Sequence, residues 1–218
     1  MINISPLTTS CAKSFQNKEH ICFGISPFNS LFTQEYLESL VAYGSLNFKS
    51  FHFFLPDEPT IYTLEAMGYG SDEARKKMKK QINWLRNKIQ KALETRHLAL
   101  ETHLLDWKYL ISKESFRQEL DEVYGLFDSN EEFRKSCLES SRWVLKNKIE
   151  ETLITDKTLF LAVKYFLSEI PLFACTNKIV GTDSSLFCYH QAIIFHDQLY
   201  ANHLAYKSSS GQGYGIIA

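Results

Sequence analysis

Ser26 is the first residue whose position suggests chemistry. It follows the apolar run His20-Ile21-Cys22-Phe23-Gly24-Ile25 and opens the polar turn Ser26-Pro27-Phe28-Asn29-Ser30. Ligands of open parallel sheets collect outside the carboxyl ends of the strands. A hydroxyl there faces a crevice and can act as a nucleophile toward an acyl group. Gly24 leaves room beside the strand, and Asn29 offers an amide that can fix the loop or stabilise a developing oxyanion. An isolated Ser-x-x-Asn more often caps a helix and closes a turn.

A second group lies late in the chain. Tyr165 and Glu169 stand four residues apart in a helical pattern, so both side chains share one face. A carboxylate beside a phenol makes a clamp for a substrate ammonium. Pro171 is expected to halt the helix and hold Glu169 near its end. Tyr189-His190 then places a second phenol next to an imidazole at the end of another apolar run, Leu186–Tyr189. Each residue singly has an ordinary alternative: Tyr165 in the core, Glu169 solvated, His190 on the surface.

The third group is cationic. Over residues 72–97, Met78, Ile82, Leu85, Ile89 and Leu93 form one apolar helical stripe, with Lys76, Lys77, Lys80, Lys88 and Lys91 roughly opposite. Acidic residues sit only at the ends (Asp72, Glu73, Glu94), which leaves these lysines without the usual i,i+4 partners. Such a face suits a nucleic-acid phosphate backbone and carries no base code. A merely solvated helix face is the competing reading.

Composition bounds the rest. The chain has 218 residues, 44% of them hydrophobic, and a net charge of −1, enough for one sizeable core and against a generally basic RNA-coating protein. Cys11, Cys22, Cys137, Cys175 and Cys188 form no C-x-x-C pair, which argues against disulfides and a zinc site and for a reduced, cytoplasmic chain. No apolar run in the sequence spans a bilayer, and the first residues lack a signal-peptide pattern. Residues 1–18 are expected to form a poorly ordered leader before a domain at 19–218.

The elements that must position these groups follow from periodicity. Strands are predicted at 20–25, 51–55, 98–105 and 186–189, with a last apolar segment at 214–218. Helices are predicted from about 31 to 41, from an N-cap at Ser71 to about His97, and at 114–127. Two more follow, at 129–150 with a Ser129/Glu132 capping box and at 156–169. The pattern implies a single α/β domain on a mostly parallel sheet with extra helices. The sequence has no G-x-G-x-x-G after the first strand, no phosphate-binding G-x-x-x-x-G-K, no H-E-x-x-H and no G-x-S-x-G.

Together, Ser26-x-x-Asn29, Tyr165-x-x-x-Glu169 followed by Ile-Pro-Leu-Phe, and Tyr189-His190 resemble the tRNA-dependent cyclodipeptide synthases, and within them the subfamily with an Asn-Tyr-His set. The resemblance runs from about His20 to Tyr214. It implies a Rossmann-like fold akin to the catalytic domain of class I aminoacyl-tRNA synthetases, with no cofactor, metal or ATP. It implies two aminoacyl-tRNA substrates, neither a membrane nor an obligatory protein partner, and ping-pong chemistry yielding a 2,5-diketopiperazine. In that scheme Ser26 takes the first acyl group and the amine of a second aminoacyl-tRNA attacks to form a dipeptidyl-enzyme, which then cyclises. Glu169 and Tyr165 hold the ammonium, Asn29 supports the turn, Tyr189 acts as a proton shuttle and His190 supports it. Cys22, Gly24, Leu172, Phe173 and Phe187 would line an apolar first pocket, favouring leucine, and the basic helix would hold tRNA. The rival readings are a serine esterase using Ser26 and a non-catalytic RNA-binding module related to synthetases.

Overall fold

The computed structural model describes residues 2–218. Strands β1 (Ile4–Pro6), β2 (His20–Gly24), β3 (Ser50–Phe54), β4 (Leu104–Leu105), β5 (Ser185–Tyr189) and β6 (Gln212–Ile217) form one sheet in the order β1-β6-β5-β2-β3-β4. All pairs are parallel except β1 with β6. Around it lie α1 (Thr9–Asn17), α2 (Gln34–Asn47), α3 (Thr60–Ala66), α4 (Ser71–Glu94), α5 (Trp107–Ser112), α6 (Glu114–Ser129), α7 (Glu131–Lys146), α8 (Asp156–Val180) and α9 (Ile194–Tyr200). From β2 the chain winds toward β3 on one side, and later returns to place β5 on the other. The strand order therefore reverses between β2 and β5, which opens a crevice above their carboxyl ends.

Period-two alternation sorts the strands into two cores. Ile21, Phe23, Phe51, Phe53, Leu186 and Cys188 pack beneath α2 and α4, whose stripe from Met78 to Leu93 is buried as expected. Cys22, Phe54, Phe187 and Tyr214 face the other way, toward α8 and its neighbours. Helix α8 is buried through most of its length, so its mean apolarity reflects a core position. It is the helix among the described residues long and apolar enough to cross a membrane, yet 67% of that window is buried in the fold.

Several sequence expectations need correction. The supposed leader is ordered over residues 2–18. Ile4 and Cys11 are buried, Thr8 accepts from the Cys11 amide, and Ser14 donates to Gly211 O at 2.9 Å. Gly213 permits this, since a β-carbon there would lie 2.9 Å from Ser14 and 3.2 Å from the Cys11 backbone. The strand expected at 98–105 shrinks to Leu104–Leu105, because Leu100–Thr102 turn as a 3-10 helix held by Thr102 donating to Ala99 O. Gly70, not Ser71, precedes α4, and Asn130, not Ser129, caps α7 by accepting from the Phe133 amide at 2.9 Å.

Pro171 does not stop α8, which continues to Val180 and departs from helical geometry only at Cys175. Leu172, Phe173, Ala174 and Ile179 beyond the proline are all buried, and that apolar burial outweighs one missing amide.

At the amino end of β2, His20 bonds Ser185 at 2.7 Å through Nδ1 and His52, in the middle of β3, at 2.8 Å through Nε2. Burial pushes His20 down to about 3 and His52 to about 4, with neighbouring imidazoles adding to the effect. The unfolded chain then binds more protons than the folded one below the ordinary histidine value of 6.5. Stability from this pair is present above pH 6.5 and lost as pH falls toward 4. Urea unfolding between pH 7 and 4.5 should show that loss, at most ~1.4 kcal/mol per pH unit for each histidine. In His52→Gln the slope should be shallower; an unchanged slope would exclude the pair as its source.

Candidate active site

The turn after β2 is built to aim two side chains. Pro27 follows Ser26, Phe28 adopts a left-handed φ of 67°, and the Asn29 amide donates to Ser26 O at 3.3 Å. A bulky residue at positive φ is an uncommon, costly choice, and such strain clusters at functional turns. It brings Asn29 round to the end of β5. There Asn29 Oδ1 accepts from the Leu31 amide at 2.9 Å, which orients the side-chain amide, and Nδ2 donates to His190 Nε2 at 3.2 Å. His190 is thus neutral with its proton on Nδ1, an atom that is buried without a partner. Burial lowers the His190 pKa. The Ser26 hydroxyl donates to Pro27 O at 3.5 Å and bonds no imidazole that would activate it. That arrangement is not the Ser-His relay of a hydrolase.

Opposite the turn, α8 projects Tyr165 and Glu169 from one face, as the four-residue spacing requires. Both are half-buried, their free side open to the cavity. Desolvation by the surrounding protein raises Glu169 to about 8, while a hydrogen bond from Tyr165 draws it down. Burial and the Glu169 charge raise Tyr165 well above the ordinary phenol range. Tyr189 is likewise raised by burial and by Glu169, with a polar contact to Ser26 opposing the shift. A phenol held that high is no base near neutrality, though its O–H can donate and relay protons. Gly24 lets the rings approach, for a β-carbon there would lie 2.9 Å from Phe187 and 3.0 Å from Tyr189.

These groups converge on one cavity of about 790 Å³. Ser26, Asn29, Tyr165, Glu169, Tyr189 and His190 all line it, as do Gly24, Phe173 and Phe187 of the expected apolar pocket. Cys22 and Leu172 do not. Both are fully buried in the core beneath the crevice, where Cys22 is held as a thiol far above its usual range. Sequence reasoning missed Phe54, Phe166, Trp143 and His196, which also line the cavity. Phe54 was legible in principle, since it pairs with Gly24 across the parallel ladder. His196 and Trp143 carry no local pattern that marks them.

The basic helix adjoins this space. Lys76, Lys77, Lys80 and Lys91 are exposed, and Lys77 both lines the cavity and donates to the Tyr69 hydroxyl at 2.8 Å. Lys88 differs. It is half-buried, donates to Phe32 O at 3.0 Å and lies over Trp84 at 3.7 Å, so it does not stand free on the cationic face.

Comparison with known proteins agrees along the whole chain. A family model described as cyclodipeptide synthase matches residues 2–218. A cyclo(L-leucyl-L-leucyl) synthase of Staphylococcus haemolyticus is 30% identical over 220 residues, covering 97% of this chain and 92% of the relative. The crystal structure of a cyclodipeptide synthase from Bacillus thermoamylovorans superposes with a TM-score of 0.92 at 31% identity, over 100% of this chain and 96% of that one. A Mycobacterium tuberculosis protein, said to demonstrate that cyclodipeptide synthetases are related to type I tRNA synthetases, matches with a TM-score of 0.90 at 28% identity, over 100% and 93%.

The raised Glu169 pKa has a consequence for stability. The folded protein keeps this proton to about pH 8, whereas an ordinary glutamate loses it near 4.5. Between those values the folded state binds more protons, so the carboxyl costs stability increasingly as pH rises. Glu169→Gln should therefore be more stable than the parent at pH 9, by on the order of 2–4 kcal/mol. The advantage should shrink through the window and vanish near pH 4.5. Thermal unfolding at the two pH values checks this, and a variant no more stable than the parent at pH 9 would refute the cause given.

Proposed function

The chain belongs to the cyclodipeptide synthase family, and from that premise we propose how its residues carry out the reaction on two aminoacyl-tRNAs. It is an enzyme that joins two amino acids into a cyclic dipeptide. Convergence of Ser26 and Glu169 on one cavity, with no base on the serine, is the observation that carries this mechanism. An aminoacyl-tRNA is already an activated ester. Moving its acyl group to Ser26 exchanges one ester for another and requires no ATP.

In the first step Ser26 Oγ attacks the ester carbonyl and the tRNA ribose oxygen leaves, taking up the serine proton. Glu169 then holds the α-ammonium of the aminoacyl-Ser26, with Tyr165 fixing the carboxylate. Its pKa of about 8 lies close to that of an α-amino group, ~7.7–8.0, so the proton can pass from nitrogen to carboxylate with little cost.

Atom balance corrects the second step expected from the sequence. Attack by a tRNA-bound amine on the Ser26 ester would leave the dipeptide on RNA. The nucleophile is therefore the enzyme-bound amine. It attacks the ester of the second aminoacyl-tRNA, releasing that tRNA and forming a dipeptidyl-Ser26. The new terminal amine then attacks the Ser26 ester, which closes the diketopiperazine and restores the hydroxyl. Tyr189 donates and relays protons beside Ser26, while Asn29 and His190 hold the turn in register. The exposed lysines of α4 bind the tRNA backbone, and Lys77 brings that surface to the cavity's edge. The walls around Gly24, Phe54 and Phe187 suit apolar side chains, leucine included.

Intact-mass spectrometry after mixing with charged tRNA should show an aminoacyl adduct that Ser26→Ala lacks. That variant should make no cyclic dipeptide yet bind tRNA within about twofold of the parent, since it removes no phosphate contact. Neither adduct nor product from the parent enzyme would overturn the mechanism. Charge reversal at Lys80 and Lys91 should weaken tRNA binding roughly tenfold or more and flatten its salt dependence. Unchanged affinity and salt slope would remove α4 from the RNA surface.

A further inference from the structure

One polar atom in the cavity has no part in this mechanism. His196, on α9, is buried in the cavity wall. Its Nδ1 accepts from the Ile193 amide at 3.1 Å, and burial lowers its pKa to about 3, so the ring is neutral with its proton on Nε2. That Nε2–H is one of three buried side-chain N or O atoms among the described residues without a partner. The ring cannot easily turn away. It lies 4.2 Å from Tyr214 and 4.7 Å from Phe173, centroid to centroid, and its other nitrogen is tied to the backbone. An unpaired buried donor is unfavourable, and its natural remedy is an acceptor that arrives with a ligand.

The surroundings say what ligand. Phe173 packs on Phe187 at 5.2 Å and on His196, and Phe187 lies beside Gly24 and two residues before Tyr189 on β5. Two residues of strand span ~6.6 Å. Ring contacts thus run from Phe187 through Phe173 to His196, and all three line the same cavity as Ser26 and Tyr189.

We infer that His196 closes the chamber for the side chain carried on Ser26, and that this chamber selects an apolar body tipped by a hydrogen-bond acceptor, namely tyrosine. The inference rests on the aminoacyl-Ser26 mechanism proposed above. It narrows the apolar preference: leucine ends in methyl groups and phenylalanine in a C–H, both leaving Nε2–H unpaired. A thioether is a weak acceptor, which places methionine between them. A site that hydrogen-bonds a substrate hydroxyl discriminates strongly against the analogue lacking it, because its own polar group is stranded.

The test is single-turnover acylation of the full-length enzyme with tyrosyl-, phenylalanyl-, methionyl- and leucyl-tRNA, each followed by intact mass. Tyrosyl-tRNA should react at least roughly tenfold faster than phenylalanyl-tRNA. His196→Phe should erase that ratio, whereas His196→Gln, which retains an N–H donor, should keep part of it. General damage to the fold would slow both substrates alike and leave the ratio unmoved. Equal tyrosyl and phenylalanyl rates in the parent enzyme, or the same ratio in His196→Phe, overturn the selection by His196 while Ser26 adducts sustain the mechanism. No adduct from any charged tRNA would overturn the mechanism itself, and the inference with it. Should His196→Phe fail to fold, the parent's tyrosyl-to-phenylalanyl ratio and His196→Gln still decide the matter.

Discussion

The desolvated carboxyl of Glu169 is the constraint around which the cavity is organised. A carboxylate in such surroundings is unfavourable until a cation arrives, and in the proposed mechanism that cation is the substrate's α-ammonium. Glu169 stands on a largely buried helix, for α8 continues through Pro171 and is packed on both sides of it. The helix tolerates a missing amide and a departure at Cys175 because apolar burial over many residues exceeds the loss of a single hydrogen bond. Affinity for the ammonium and the cost of the empty site have the same origin. The site is less stable than it could be, and the proposed ammonium binding draws on that cost.

The serine illustrates a complementary economy. Ser26 lacks a bonded imidazole, while the nearby His190 spends its Nε2 accepting from Asn29. A strong base would also activate water and hydrolyse the aminoacyl ester that the proposed mechanism must preserve between two substrates. Ester exchange needs less help, since the departing ribose oxygen can take the proton that the serine gives up. Tyr189, kept protonated by burial, contributes a hydrogen bond without becoming a general base. The left-handed Phe28 fits the same logic, storing strain in a turn whose task is to fix Asn29 against β5.

What was legible in the sequence follows the range of the physics involved. Alternation along β2, β3 and β5, and the four-residue step from Tyr165 to Glu169, are local patterns, and the fold realises them. Segment 1–18 looked aperiodic because its order comes from afar: Ile4 pairs with Ile217 and Ser14 bonds the Gly211 carbonyl. Pro171 misled for a similar reason, since a local rule met a non-local core. Cys22 and Gly24 share a strand face, yet depth beneath the rim decides that Gly24 meets the cavity and Cys22 does not. His196 was invisible for want of any spacing rule linking it to Ser26. Only the placing of α9 against Phe173 and Tyr214 brings it to the cavity wall.

The proposed covalent intermediate would also resolve how one cavity can serve two large RNA substrates. Once the first amino acid is tied to Ser26, its tRNA can depart, and the surface near Lys77 becomes available for the next. The two amino acids then occupy the cavity together without two RNA molecules competing for space. Such turnover favours a moderate cationic surface over an intense one, for release must be as easy as capture. A chain of net charge −1 that exposes Lys76, Lys77, Lys80 and Lys91 along α4 has that character. In the proposed mechanism electrostatics bring the RNA to the rim, where they are screened by salt and reversible. Choice of amino acid falls instead to short-range contacts inside the crevice, where an unpaired N–H or a misplaced methyl group is felt at full strength.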